Sequence, residues 1–215
     1  MAQLEPVLTL TIPSVHDWTV LDCRVFHPSI LGDADPGADD EWKGQAAVFA
    51  HPYAPLGGSF DDGVVEAVVR ELLGAGYVVA TFNFRGAGNS AGKTSWTARP
   101  ERGDYTSVVG FLVHYVHGLT LDPDENDNGH EASQEDCARL LHGTRHDEIW
   151  SPVLLMGGYS YGAMVTAQLP PLATMLLHFT APAAGTAAAE VRLRAEHASR
   201  EQRRRGGRRE RKRSF

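Results

Sequence analysis

The stretch Val153-Leu154-Leu155-Met156-Gly157-Gly158-Tyr159-Ser160-Tyr161-Gly162-Ala163-Met164-Val165 decides the fold. Its first four residues form a short continuous apolar run, the pattern of a strand buried on both faces. Two glycines follow, and then Tyr161–Leu169 returns to helical spacing. Gly158-Tyr159-Ser160-Tyr161-Gly162 therefore fits Gly-x-Ser-x-Gly in a strand–turn–helix context. That context lifts a serine hydroxyl above a sheet edge and sets the next amide at a helix N-terminus. Ser160 is the candidate nucleophile, and the Tyr161 amide is a candidate donor to a developing oxyanion.

The same alternation extends outward from this stretch. Val7–Ile12 and Thr19–Phe26 alternate apolar and polar residues, as half-buried strands do. Ala46–Ala50 and Tyr77–Phe84 read as buried strands. Asp61–Leu73 and Asp104–Val116 carry apolar residues at helical spacing. Strands alternating with helices predict an α/β fold with a mostly parallel sheet and right-handed crossovers.

Three ordered motifs carry a family resemblance: His51-Pro52-Tyr53-Ala54-Pro55-Leu56-Gly57-Gly58, Phe82-Asn83-Phe84-Arg85-Gly86-Ala87-Gly88-Asn89-Ser90, and the Ser160 elbow. Together they resemble the α/β-hydrolases of the dienelactone-hydrolase and prolyl-oligopeptidase-like group, over about residues 44–182. The resemblance implies a serine hydrolase acting on an ester or a small acyl compound. It places the second oxyanion amide at Tyr53 or Ala54, and reads His51 as a residue of that loop rather than a base. By the same resemblance Asp104 sits at the family's acidic position at the start of a helix, without a catalytic role.

Downstream of Ser160 the chain departs from that family. Its triads run Ser, then Asp or Glu, then His. No Asp follows Ser160, and the histidines that follow are His178 and His197. Glu190 stands seven residues before His197, so on one helix the two share a face but stand too far apart to bond directly. Acid and base are left unassigned, with His178, His197 and Glu190 as the candidates. Met175–Phe179 reads as one more strand, and no apolar run remains for further ones. The expected architecture is an α/β-hydrolase sheet flanked by helices and lacking its last strands. It occupies residues 1–185, with an acidic surface insertion at 120–148. Residues 186–215 are expected to be helical over Ala187–Arg205 and then an Arg-rich tail without fixed structure.

The loop Gly86–Thr94 also matches two phosphate-binding patterns. Gly86-x-Gly88-x-x-Ala91 fits a relaxed dinucleotide fingerprint, and Ala87-x-x-x-x-Gly92-Lys93-Thr94 a P-loop with Ala for its first Gly. Gly88-Asn89-Ser90-Ala91-Gly92 is a second Gly-x-Ser-x-Gly match. Either phosphate site needs a helix that starts at the loop. Pro100 lies too close for a long helix from Thr94. A tight turn after a strand is the expectation, and nucleotide binding through Gly86–Thr94 is the second alternative to hydrolysis. The first is a non-catalytic binding module on the hydrolase fold.

Composition sets the remaining bounds. Apolar residues make up 42% of 215, enough for a sizeable core. Cys23 and Cys137 are too few for a disulfide scaffold or a four-cysteine zinc site. The pairs His114/His117 and His142/His146 have helical ligand spacing but lack further ligands, so neither metal nor organic cofactor is expected. Residues 1–190 carry 9 Lys/Arg against 24 Asp/Glu, a formal −15, and residues 191–215 carry 11 against 3, a formal +8. The acidic body argues against nucleic-acid binding except through Arg203–Arg213. No apolar stretch approaches 18 residues, and Met1–Pro6 lacks a signal-like basic and apolar pair of segments. The expectation is a cytoplasmic protein without membrane contact that binds a small acyl substrate, with the basic tail leaving a nuclear address open.

Overall fold

The computed structural model describes residues 4–31, 42–120 and 153–213, with side chains through 206. The acidic insertion, the Leu31–Asp40 loop beyond its first residue, Cys137 and the His142/His146 pair lie outside the described residues.

Among the described residues five strands form one mixed sheet: β1 (Leu8–Pro13), β2 (Val20–Phe26), β3 (Ala46–Ala50), β4 (Val78–Phe82) and β5 (Leu154–Gly158). Their order is β1-β2-β4-β3-β5. The hairpin β1–β2 is antiparallel, and β2 pairs antiparallel with β4. β4, β3 and β5 run parallel, with Val48 opposite both Ala80 and Met156. Ala50, Phe82 and Gly158 consequently end level, and the loops that follow them gather at one edge of the sheet. The chain passes from β3 to β4 on one side and returns past β3 to β5 on the other. That reversal opens a crevice at the carboxyl ends of the strands, where open α/β sheets place their sites.

Helices cover both faces: α1 (Gly63–Gly74), α2 (Arg99–Thr120), α3 (Tyr161–Thr166), α4 (Leu172–Thr180) and α5 (Ala187–Arg213). Strand alternation sorts the core into two parts. Ala47 and Val79 face α1 through Val65 and Val69, with Phe26 beside them. Val48, Ala50, Ala80 and Phe82 face the larger cluster, built on Tyr105, Val109, Leu112 and Tyr115 of α2. Phe179 of α4 and Val191 and Ala195 of α5 complete it.

Three expectations change. Met175–Phe179 is helical, inside α4, because Leu172, Met175, Leu176 and Phe179 form a helical stripe whose Met175 and Phe179 are buried. A short all-apolar run does not separate strand from helix by period. Pro100 opens a helix rather than clipping one: it sits in the first turn of α2, where its missing N–H leaves no bond unmade. The helix expected over Ala187–Arg205 continues to Arg213, into the segment expected to lack fixed structure. Arg194–Glu190, Arg200–Glu196 and Arg205–Glu201 pairs at i,i+4 support the helix as far as Arg205.

Candidate active site

Ser160 lies between the end of β5 and the first residue of α3, with φ 54° and ψ −112°. A non-glycine residue in that region is strained and persists only where its surroundings hold it. Here they do. A Cβ on Gly158 would stand 2.4 Å from the Gly162 carbonyl carbon, and one on Gly162 would stand 2.6 Å from the Ala50 oxygen. Both glycines are required by that close approach. The Tyr159 amide donates to Ala50 O at 2.9 Å, which ties the elbow to the end of β3. Ser160 is exposed, and its Oγ makes no hydrogen bond among the described residues. Tyr161 opens α3, so its amide belongs to the turn that has no i−4 acceptor.

The loop His51–Gly58 is brought to the elbow by aromatic packing. The Tyr53 ring lies 5.1 Å from that of Tyr161 and 4.8 Å from that of Trp96. Ala54 starts a short 3₁₀ turn closed by Gly57 at φ 90°. Thus Ser160, Tyr161 and the Tyr53–Ala54 segment share one corner of the molecule. Trp96, Leu56 and Tyr159 are exposed around it, an apolar rim on an acidic protein.

His51 does not point to Ser160. Its Nε2 accepts the Phe84 amide at 2.9 Å, which leaves Nδ1 to donate to Pro52 O. The ring is fully buried, and burial lowers its pKa to about 4. It is a neutral brace between the loops after β3 and β4.

The downstream candidates are elsewhere. His178 is exposed on α4 and lines two clefts with Val15 and His16, neither of which includes Ser160. His197 is exposed on α5. Glu190 is bound to Arg194 at 2.7 Å. The Arg85–Ala98 loop is structural. Ser90 Oγ donates to Asn83 O and accepts the Asp22 amide, so the second Gly-x-Ser-x-Gly serine is used up inside the fold. No helix starts at Thr94; the next begins at Arg99.

Three supports went unread in the sequence. Tyr105 reaches from α2 into the β3–β5 seam, where its hydroxyl accepts the Gly157 amide at 3.0 Å and donates toward Val48 O or Gly157 O, just before the elbow. Glu101 is fully buried, and its carboxylate accepts from the Ser95 amide and hydroxyl at 2.6 and 2.7 Å. Ser95 O in turn accepts the Tyr161 hydroxyl at 2.7 Å. Arg85 is fixed by Asp104 (2.7 Å) and Asp17 (2.8 Å), which pins the loop after β4 to α2 and to the β1–β2 turn. The Tyr105 and Arg85 roles rest on pairing far along the chain.

Against solved structures, the chain resembles an alpha-beta serine hydrolase homologue from Coxiella burnetii at 18% identity and TM-score 0.50, over 78% of this chain and 58% of that one. It resembles a serine hydrolase without lid from Xanthomonas campestris at 23% identity and TM-score 0.50, over 82% and 60%. The chain has the α/β-hydrolase fold. It spans about three fifths of the length of those two structures. No family model and no curated protein matches it. On this hydrolase fold, no group of three or more metal-ligating side chains comes together among the described residues. No helix among them is long and apolar enough to cross a membrane.

Proposed function

We propose that the chain is a serine-nucleophile acyl hydrolase of the ester type. The observation that carries this reading is the strained, exposed Ser160 between two glycines that admit no Cβ. Ser160 Oγ attacks the ester carbonyl carbon and its proton leaves to a base. The carbonyl oxygen becomes an oxyanion held by the Tyr161 amide and by an amide of the Tyr53–Ala54 segment. The tetrahedral intermediate collapses, the C–O bond to the leaving group breaks, and the alcohol departs protonated. Water then attacks the acyl-serine and releases the acid. The rim of Trp96, Leu56 and Tyr159 suits a small apolar acyl group.

The base is the element that the described residues do not supply. An unassisted serine hydroxyl is a weak nucleophile. The isolated chain is accordingly a slow hydrolase, and elbow and oxyanion amides alone leave about 10³–10⁴-fold over water in crippled triads. The locked His51 favours a second reading, a binding module on the hydrolase fold. A fluorophosphonate probe separates the two: labelling of Ser160 that is lost in Ser160→Ala supports the hydrolase, and an unlabelled folded chain supports the module.

A further inference from the structure

A groove away from Ser160 carries an unassigned site. Two clefts of about 420 Å³ each meet at Val15, His16 and His178. One is walled by Trp18 and Pro182, the other by Arg99 and Arg102. Among the described residues, no Asp or Glu lines either. On a body with 9 Lys/Arg against 24 Asp/Glu, two arginines on one groove are a local reversal of charge. The nearby carboxylates are committed elsewhere, Asp17 and Asp104 to Arg85 and Glu101 to Ser95. Arg99 and Arg102 make no side-chain bond among the described residues.

The wall bearing His16 and Trp18 is built in advance. The Val15 amide donates to Ser107 Oγ of α2 at 2.8 Å. A Cβ on Gly103 would stand 2.6 Å from the His16 Cβ, so that glycine lets the turn seat against α2. Trp18 has φ 66°, a left-handed conformation that a bulky residue adopts at a cost and that a turn normally gives to Gly or Asn. It is 51% exposed, with its face in the groove instead of in either core cluster. An indole kept in the wrong backbone region, out of the core and in the cleft that adjoins the one lined by Arg99 and Arg102, has the form of a recognition side chain.

We infer that this groove binds a small aromatic anion. The ring lies in the Trp18–Pro182 half, the anionic end between Arg99 and Arg102, and His16 and His178 flank the passage. Planar guanidinium groups suit a carboxylate or a phosphate monoester alike. The first turn of α5 at Ala187 and Ala188 lines the ring half and adds its unpaired amides to the positive field.

Calorimetric titration of the full chain with phenyl phosphate, benzoate, benzyl alcohol and inorganic phosphate tests the site. One of the two aromatic anions should bind at one site with Kd below ~1 mM, with benzyl alcohol and inorganic phosphate each about tenfold weaker or worse. Which aromatic anion wins distinguishes phosphate from carboxylate. Arg99→Gln with Arg102→Gln should weaken binding about tenfold or more at unchanged Tm. Trp18→Gly should weaken binding while Tm stays level or rises. Ser160→Ala should leave binding intact, which separates this site from the elbow. Absence of saturation by either aromatic anion, equal affinity for inorganic phosphate, or binding indifferent to the arginine pair overturns the inference. So does loss of binding in Ser160→Ala.

Discussion

His51 Nε2 accepts the backbone amide of Phe84 at 2.9 Å, so the histidine of the His-Pro motif holds two loops together instead of serving Ser160. Replacing it by Ala leaves the buried Phe84 N–H and Pro52 C=O without partners. Each unmade buried bond costs about 1–3 kcal/mol, so His51→Ala should lower stability by about 2–4 kcal/mol in urea denaturation. A loss under about 0.5 kcal/mol would contradict the brace.

Acid should unfold the chain earlier than its carboxylates alone dictate. Burial lowers the pKa of His27 and His51 to about 4 and of His114 to about 3, from 6.5. These histidines are neutral when folded and charge when unfolded, so their stabilising effect is complete above pH 6.5. It is lost as pH falls through the window between 6.5 and 4. Each differential proton contributes about 1.4 kcal/mol per pH unit. The urea midpoint should therefore drop steadily between pH 7 and pH 5, and a flat profile over that range would contradict the burial of all three.

Much of the fold was legible because it rests on local pattern. Ala46–Ala50 is a strand with the bounds its apolar run gave, and the elbow follows from Gly158 and Gly162 in a strand–helix context. What was not legible depends on pairing across the chain. Nothing near His51 in sequence announces that its acceptor nitrogen meets the Phe84 amide 33 residues on. Glu101 stands before the helix expected from Asp104 and carries no motif, yet it is fully buried on Ser95. Met175–Phe179 fits either period, and its packing against α2 chose the helix.

The two carboxylates on Arg85 should behave differently when removed. The Asp104 side chain is fully buried, while that of Asp17 is 42% exposed. Burial raises the Asp104 pKa against the pull of Arg85, whereas the Arg85 hydrogen bonds hold Asp17 well below the usual carboxylate range. Asp104→Ala leaves a guanidinium buried without its inner partner and should cost about 3–5 kcal/mol. Asp17→Ala, at a solvated pair, should cost about 1 kcal/mol or less. Equal losses in chemical denaturation would contradict the assignment of Asp104 as the inner anchor.

Ser160 stores strain that glycine does not feel. Ser160→Gly should raise stability by about 0.5–1 kcal/mol, and Ser160→Ala should leave it near wild type, since alanine keeps the Cβ. A stabilised Ser160→Ala with an unchanged Ser160→Gly would place the strain elsewhere than in the φ of 54°.

The most direct test of the elbow is acyl transfer to Ser160 itself. Purified chain is incubated with p-nitrophenyl acetate, p-nitrophenol release is followed, and the acetylated peptide is located by mass spectrometry, beside Ser160→Ala. The account predicts acetate on Ser160 and release that is slow, well below about 1 s⁻¹, and lost in Ser160→Ala. Acetate found only on lysines or histidines, with the same release rate in Ser160→Ala, would contradict it.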